Sequence, residues 1–197
     1  IALYQDSLKR RLAFSSIGQV AYIIMGVGLA SSLGFIGGTL HIVMHAFGKI
    51  TLFFCAGAIY VATKKKNISQ LDGIGKYMPF TMTAFFIGAL SVIGIPPTGG
   101  FISKWMMLLG ALDADLTIIM IIYLISSFLN ACYFFPIIYR AFFKQPADVD
   151  MIDGDFVKIK EAPVFCYIPP LITASISILL FFKYSFFSSI ISGVLNV

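Results

Sequence analysis

Four basic residues stand inside runs of apolar residues long enough to exclude them. His41, His45 and Lys49 lie at i, i+4 and i+8 within Leu33 to Thr63, and Lys104 lies within Tyr77 to Leu112. On a helix that spacing places the first three along one face, about 6 Å apart in axial rise. Imidazole can donate at one nitrogen and accept at the other, so two histidines beside a lysine form a stripe able to pass protons through intervening water. A lysine held out of water suits the same task, because desolvation narrows the free-energy gap between ammonium and amine. Lys49 stands sixteen residues after Leu33 and fourteen before Thr63, too deep for its amine to reach either end of the run.

Lys104 follows Ile95-Pro96-Pro97-Thr98-Gly99-Gly100 by one helical turn. Pro96 and Pro97 remove backbone donors, and Gly99 and Gly100 admit unusual dihedrals, so a helix is expected to open between about 94 and 100. Irregular backbone at membrane depth is tolerated only where protein buries it or water reaches it. A lysine just beyond such a break is a candidate ion site, as in transporters with discontinuous helices. Ser15, Ser16, Gln19, Ser91, Tyr123, Ser126, Ser127, Asn130 and Tyr133 are the other polar groups within the runs. They are suited to line water or to bind helices together, and for most of them the second role is expected.

The elements that carry these residues follow from composition. Of the 197 residues, 59% are apolar and 12% charged, and the mean hydropathy is +0.94. That excludes a disordered chain and identifies a membrane protein. A span needs roughly 20 apolar residues, and five segments qualify: 12–30, 33–63, 77–112 with its break, 116–139, and 164–182, where Pro169-Pro170 is expected to kink or delay the start. Residues 184–197 are too short to span alone and are expected to extend the last helix or lie at the interface. Lys9, Arg10 and Arg11, then Lys64, Lys65, Lys66 and Lys76, then Arg140 and Lys144 fall on one side only if 77–112 crosses once. By the positive-inside rule that side is cytoplasmic, giving five crossings in a single transmembrane domain over 1–197.

Several chemistries are excluded. The loop 142–163 holds Asp148, Asp150, Asp153, Gly154 and Asp155, but no register supplies the acidic spacing of a calcium loop, and a solvated acidic loop is expected. Cys55, Cys132 and Cys166 share no metal-ligand spacing and read as buried inert thiols. No glycine-rich nucleotide loop or cluster-ligand pattern is present, so no cofactor, no metal and no catalytic centre are expected in this chain. The net charge of +5 does not indicate nucleic acid, because the basic residues cap apolar runs.

Three segments in order, Leu8-Lys9-Arg10-Arg11-Leu12-Ala13-Phe14-Ser15-Ser16-Ile17-Gly18-Gln19, His41-Ile42-Val43-Met44-His45-Ala46-Phe47-Gly48-Lys49, and Gly94-Ile95-Pro96-Pro97-Thr98-Gly99-Gly100 with Lys104, resemble one known family. It is the antiporter-like proton-translocating membrane subunits of respiratory complex I, membrane-bound hydrogenases and multisubunit sodium/proton antiporters. The resemblance covers residues 1–145 and implies an all-α, polytopic transmembrane bundle built from inverted repeats, with one discontinuous helix here. The chain, starting at Ile1 and matching the later repeat, is read as the C-terminal part of such a subunit.

The resemblance further implies that His41, His45 and Lys49 belong to a central hydrophilic axis and that Lys104 is the terminal titratable group beyond the break. Some branches carry glutamate at that last position. The segment His45-Ala46-Phe47-Gly48-Lys49-Ile50-Thr51-Leu52-Phe53-Phe54 is most similar to the antiporter D-type subunits. The expected function is therefore proton translocation within a multisubunit monovalent cation/proton antiporter in a bacterial or archaeal plasma membrane. The alternative is a proton-pumping arm subunit of a quinone oxidoreductase or membrane-bound hydrogenase. Expected partners are other membrane subunits, the lipid bilayer, protons and Na+.

Overall fold

The computed structural model describes residues 1–145, 150–152, 155–157 and 160–195. Its helices are α1 (Leu8–Val27), α2 (Ser32–Thr63), α3 (Pro79–Ile93), α4 (Gly99–Asp113), α5 (Thr117–Phe143), α6 (Val164–Phe182) and α7 (Tyr184–Leu195). The architecture is an all-α bundle. A short antiparallel hairpin, β1 (Asp150–Ile152) with β2 (Asp155–Val157), lies between α5 and α6. Asp148, Asp153 and Gly154 of the acidic loop lie outside the described residues.

By length and composition, α2, α5 and α6 can each cross a membrane. The 20-residue α1 is not among them, and its sequence carries Lys9, Arg10, Arg11, Ser15, Ser16 and Gln19. Ser15 and Gln19 are buried in the bundle, so the polarity that dilutes this helix is turned inward.

The 32-residue α2 is the central element and packs against α1, α3, α4, α6 and α7. Contacts descend it in order: Cys55 meets the carbonyl of Thr81 at 3.3 Å, Gly88 abuts Thr51 and Leu52, Gly48 abuts Ser91, and Gly99 abuts Met44. The series continues through Ser103 beside His41, Met107 beside Gly37 and Gly110 against Gly34. Thus α3 and α4 run one after the other along α2 in the same direction, as two halves of one discontinuous helix. Facing glycines allow this approach, since a Cβ on Gly110 would overlap the Gly34 nitrogen.

The basic segments converge at one end. Lys9, Lys64 and Lys66 each place an amine 5.3–5.5 Å from the centre of the Tyr60 ring. Arg140 and Lys144 both bind Asp72, at 3.0 and 3.2 Å, and Lys76 reaches Gln145 at 3.1 Å. At the other end Ser31 donates to Asp113 at 2.8 Å, joining the start of α2 to the end of α4.

Of the alternatives for the last helices, a delayed start of α6 and its extension into the tail are not seen. Pro169 and Pro170 do not delay α6, which begins at Val164 with both prolines inside it. The hydroxyl of Thr173 sits 3.2 Å from the carbonyl of each. Residues beyond Lys183 form a separate helix, α7, whose Phe187 and Ile191 pack on the cluster of Leu40, Met44 and Leu180.

Candidate functional site

The break between α3 and α4 follows from backbone donors. In a continuous helix the carbonyls of Val92 and Ile93 would accept from residues 96 and 97, which here are Pro96 and Pro97 with no N–H to give. The Lys104 amine supplies the missing hydrogens. Its Nζ lies 2.8 Å from the Val92 carbonyl and 3.0 Å from that of Ile93, with the Ser127 hydroxyl at 3.4 Å. A cation at a helix C-terminus also matches the sign of the macrodipole.

The glycines of the break act differently from the expectation. The left-handed residue is Gly94, at φ 88°, where a Cβ would also meet Lys104 Cδ at 2.8 Å. Gly99 and Gly100 are the first helical residues of α4, not dihedral outliers. They are small because of what touches them: a Cβ on Gly100 would overlap the Ser91 carbonyl oxygen, and one on Gly99 the Met44 sulfur.

Lys49 is 6% exposed and Lys104 8%. Neither has a carboxylate within ion-pair distance among the described residues. Lys49 donates to the Leu12 carbonyl at 2.9 Å and to Ser15 Oγ at 2.7 Å, both on α1. Ser15 is 2.7 Å from the Tyr133 hydroxyl, which in turn donates to Asn130 Oδ1 through a short hydrogen bond. This chain runs from α2 through α1 to α5.

His41, 1% exposed, is 2.8 Å from Ser103 Oγ through Nδ1 and 3.0 Å from Gln19 Oε1 through Nε2. The His41 and His45 rings stack with centroids 5.9 Å apart. His41 and His45 thus lie together on α2, and Lys49, one turn on, gives its amine to Leu12 and Ser15 of α1. Tyr22 completes the cluster: its ring faces that of His41 at 5.9 Å, lies 4.6 Å beneath the Lys104 amine, and its hydroxyl reaches Ser127 Oγ at 3.2 Å.

Four buried polar atoms have no hydrogen-bond partner among the described residues: Gln19 Nε2, His45 Nδ1, Asn130 Nδ2 and Tyr123 OH. They belong to α1, α2 and α5, the elements that also carry the Lys49 chain. Buried atoms of this kind ordinarily bind water. A cavity of about 200 Å³ beside Lys104 is lined by Tyr22, Gly94, Trp105, Tyr123 and Ser127 among others.

Ser15, Gln19, Ser127, Asn130 and Tyr133, expected from the sequence mainly to bind helices together, touch or adjoin the titratable groups. Tyr22 and Ser103 join them without having been singled out by the sequence pattern. Tyr22 continues the α1 face of Ser15 and Gln19 by the next i+3 step, a signal that was available. Arg11, read as an interfacial charge, is 7% exposed and binds the carbonyls of Leu3, Gln5 and Tyr133 at 3.0, 2.9 and 3.0 Å. Ser91 does join helices, accepting from Ser177 at 2.8 Å. Of the cysteines only Cys55 is fully buried, and Cys132 and Cys166 are partly exposed.

Comparison with known proteins gives concordant matches. A family model described as NADH:quinone oxidoreductase/Mrp antiporter, TM, matches residues 1–130. The chain is 44% identical over 144 residues to NADH-quinone oxidoreductase subunit N of Desulforudis audaxviator, covering 73% of this chain and 29% of that protein. It is 36% identical over 180 residues to NADH-ubiquinone oxidoreductase chain 5 of Cryptococcus neoformans, covering 89% of this chain and 26% of that one. The fold is similar to a chain of the Mrp complex from Dietzia sp., with TM-score 0.88 and 24% identity over 96% of this chain and 42% of that one. A chain of an archaeal membrane-bound sulfane sulfur reductase gives TM-score 0.80 at 30% identity, over 90% of this chain and 28% of the other. The chain thus spans less than a third of the length of these curated relatives.

Proposed function

The chain belongs to the NADH:quinone oxidoreductase/Mrp antiporter transmembrane family, and from that premise we propose that it conducts protons between Lys49 and Lys104 as an antiporter-like subunit of a multisubunit membrane complex. The observation that carries this reading is the Lys104 amine, buried with no carboxylate at ion-pair distance among the described residues and bonded to the two carbonyls that Pro96 and Pro97 leave open. An ammonium has three hydrogens and here three acceptors. Deprotonation removes one of the three, so the protonation state of Lys104 and the junction of α3 with α4 are coupled.

Between the lysines the route has protein groups and water sites. From Lys49 a chain of hydrogen bonds runs through Ser15 and Tyr133 to Asn130, while Gln19, Asn130 and His45 each present a polar atom unpaired among the described residues for bridging water. The stacked His41 and His45 border the same space and can take and release a proton. Pro96, Pro97, Gly99 and Gly100 keep the helix open and close-packed where Lys104 works. In this reading the bundle crosses the bilayer five times, with the basic end cytoplasmic.

Replacing Lys49 or Lys104 by alanine in the full-length subunit, within its complex in proteoliposomes, is expected to abolish proton translocation with assembly retained. Undiminished translocation in either variant rules the relay out.

Two finer readings concern the driving reaction. A monovalent cation/proton antiporter is favoured by the segment His45 to Phe54, whereas a redox-driven proton pump is favoured by 44% identity to a quinone oxidoreductase subunit. Proton movement started by a Na+ gradient supports the first. Movement that requires an electron donor and a quinone supports the second.

A further inference from the structure

Ser103 is fully buried and stands between His41 and the first turn of α4, with its Oγ 2.8 Å from His41 Nδ1 and 3.2 Å from the Gly100 carbonyl oxygen. A serine hydroxyl has one hydrogen and these are two competing acceptors. On the other side of the ring, Gln19 Oε1 can only accept, so His41 Nε2 carries a hydrogen. The neutral imidazole therefore leaves Nδ1 as an acceptor, and Ser103 donates to it.

We propose that Ser103 is a positioning residue whose hydroxyl reports the charge of His41 to the half-helix that carries Lys104. The inference rests on the relay reading above. When the Ser103 hydrogen rotates onto the Gly100 carbonyl, the Nδ1 lone pair is free to take a proton from a hydronium, and the resulting Nδ1–H donates to Ser103 Oγ. No bond of serine breaks: His41 gains one proton and one positive charge, the hydronium loses them, and the hydroxyl changes direction.

The consequence reaches Lys104 through packing already described. Gly100 is pressed against the carbonyl of Ser91, so its own carbonyl lies in a first turn with little freedom to shift. Adding a hydrogen bond to that carbonyl changes the polarisation of the turn that ends at Lys104. The titratable groups facing His41 are His45 on α2, Tyr22 on α1 and, above the Tyr22 ring, Lys104 on α4. Tyr123 on α5 stacks on Tyr22 at 5.2 Å. Ser103 is the hydroxyl that touches His41 directly, and Gln19 holds the opposite nitrogen in a fixed role.

The test uses the full-length subunit in its complex, reconstituted in proteoliposomes, with initial proton flux measured across pH. Ser103→Ala is expected to slow flux about tenfold, the equivalent of one hydrogen bond of about 1.4 kcal/mol, and to displace the pH–rate profile. Ser103→Thr, which keeps the hydroxyl, is expected to restore both rate and profile. A merely structural serine lowers the rate without displacing the profile, and that result overturns the proposal. So does an alanine variant whose rate and profile coincide with wild type. Lys104→Ala, run in parallel, separates the two levels. If it abolishes flux while Ser103→Ala changes nothing, this inference fails and the relay stands, whereas flux surviving Lys104→Ala removes both.

Discussion

Lys104 takes the place of a backbone donor for Ile93: its Nζ lies 3.0 Å from the carbonyl that Pro97, lacking an N–H, cannot serve. The same amine serves Val92 in place of Pro96 at 2.8 Å. The helix break and the buried charge are therefore one feature, since the prolines create the acceptors that make a buried ammonium tolerable.

Arginine and methionine at position 104 separate the structural from the titrating role of this amine. Lys104→Met leaves two buried carbonyls unpaired at about 1–3 kcal/mol each, and is expected to lower the melting temperature of the purified complex in detergent. Lys104→Arg keeps donors and charge but does not deprotonate. Its expected phenotype is near wild-type stability with proton flux lost. Normal flux in the arginine variant excludes proton cycling at this position.

Gly100 and Gly57 give a matched pair. A Cβ at Gly100 overlaps the Ser91 carbonyl oxygen, which is backbone and cannot swing aside, while one at Gly57 meets nothing within 4 Å. Gly100→Ala is expected to destabilise by about 1–3 kcal/mol as overpacking forces α4 away from α3. Gly57→Ala is expected to be neutral or to stabilise by up to about 1 kcal/mol through helix propensity. Thermal unfolding of both variants in one detergent checks the contrast.

Lys64 ends α2 at φ 55°, the left-handed region that favours glycine. Lys64→Gly is expected to stabilise by about 0.5–1 kcal/mol, because the backbone strain exceeds the worth of one exposed amine beside Tyr60. A fall in unfolding temperature shows instead that the amine contributes more than the strain costs.

Much of this arrangement is legible in the residues. Lys49 and Lys104 are conspicuous because charge within long apolar runs is rare, and Pro96-Pro97 marks the break because proline cannot donate. The histidine stripe follows from the i, i+4 spacing of His41 and His45. What the spacing could not reveal is where Lys49 turns its amine, since a long flexible side chain on one face can reach either neighbouring helix. The roles of Gly99 and Gly100 were hidden for a related reason: glycine signals both odd dihedrals and close contact, and only the position of Ser91 distinguishes them. Arg11 was hidden because a basic residue at the start of a span reads as an anchor, whether or not it folds back over carbonyls.

Tyr133 ties the Lys49 chain to α5, accepting from Ser15 at 2.7 Å and donating its one hydrogen to Asn130. Removing its hydroxyl leaves Ser15 and Asn130 each short of a partner in a buried seam, where Asn130 Nδ2 already lacks one among the described residues. Tyr133→Phe is expected to cost about 1–2 kcal/mol of stability. Lys49 keeps its bonds to Leu12 and Ser15, so the amine stays in place while its outlet towards Asn130 is cut. Proton flux is therefore expected to fall although both lysines remain. A double-mutant cycle with Ser15→Ala gives the sharper check, because the two hydroxyls act in one chain. The double variant should lose little more flux than the worse single variant, as expected for coupled neighbours. Strictly additive losses place Ser15 and Tyr133 on separate routes and break the chain from Lys49 to Asn130.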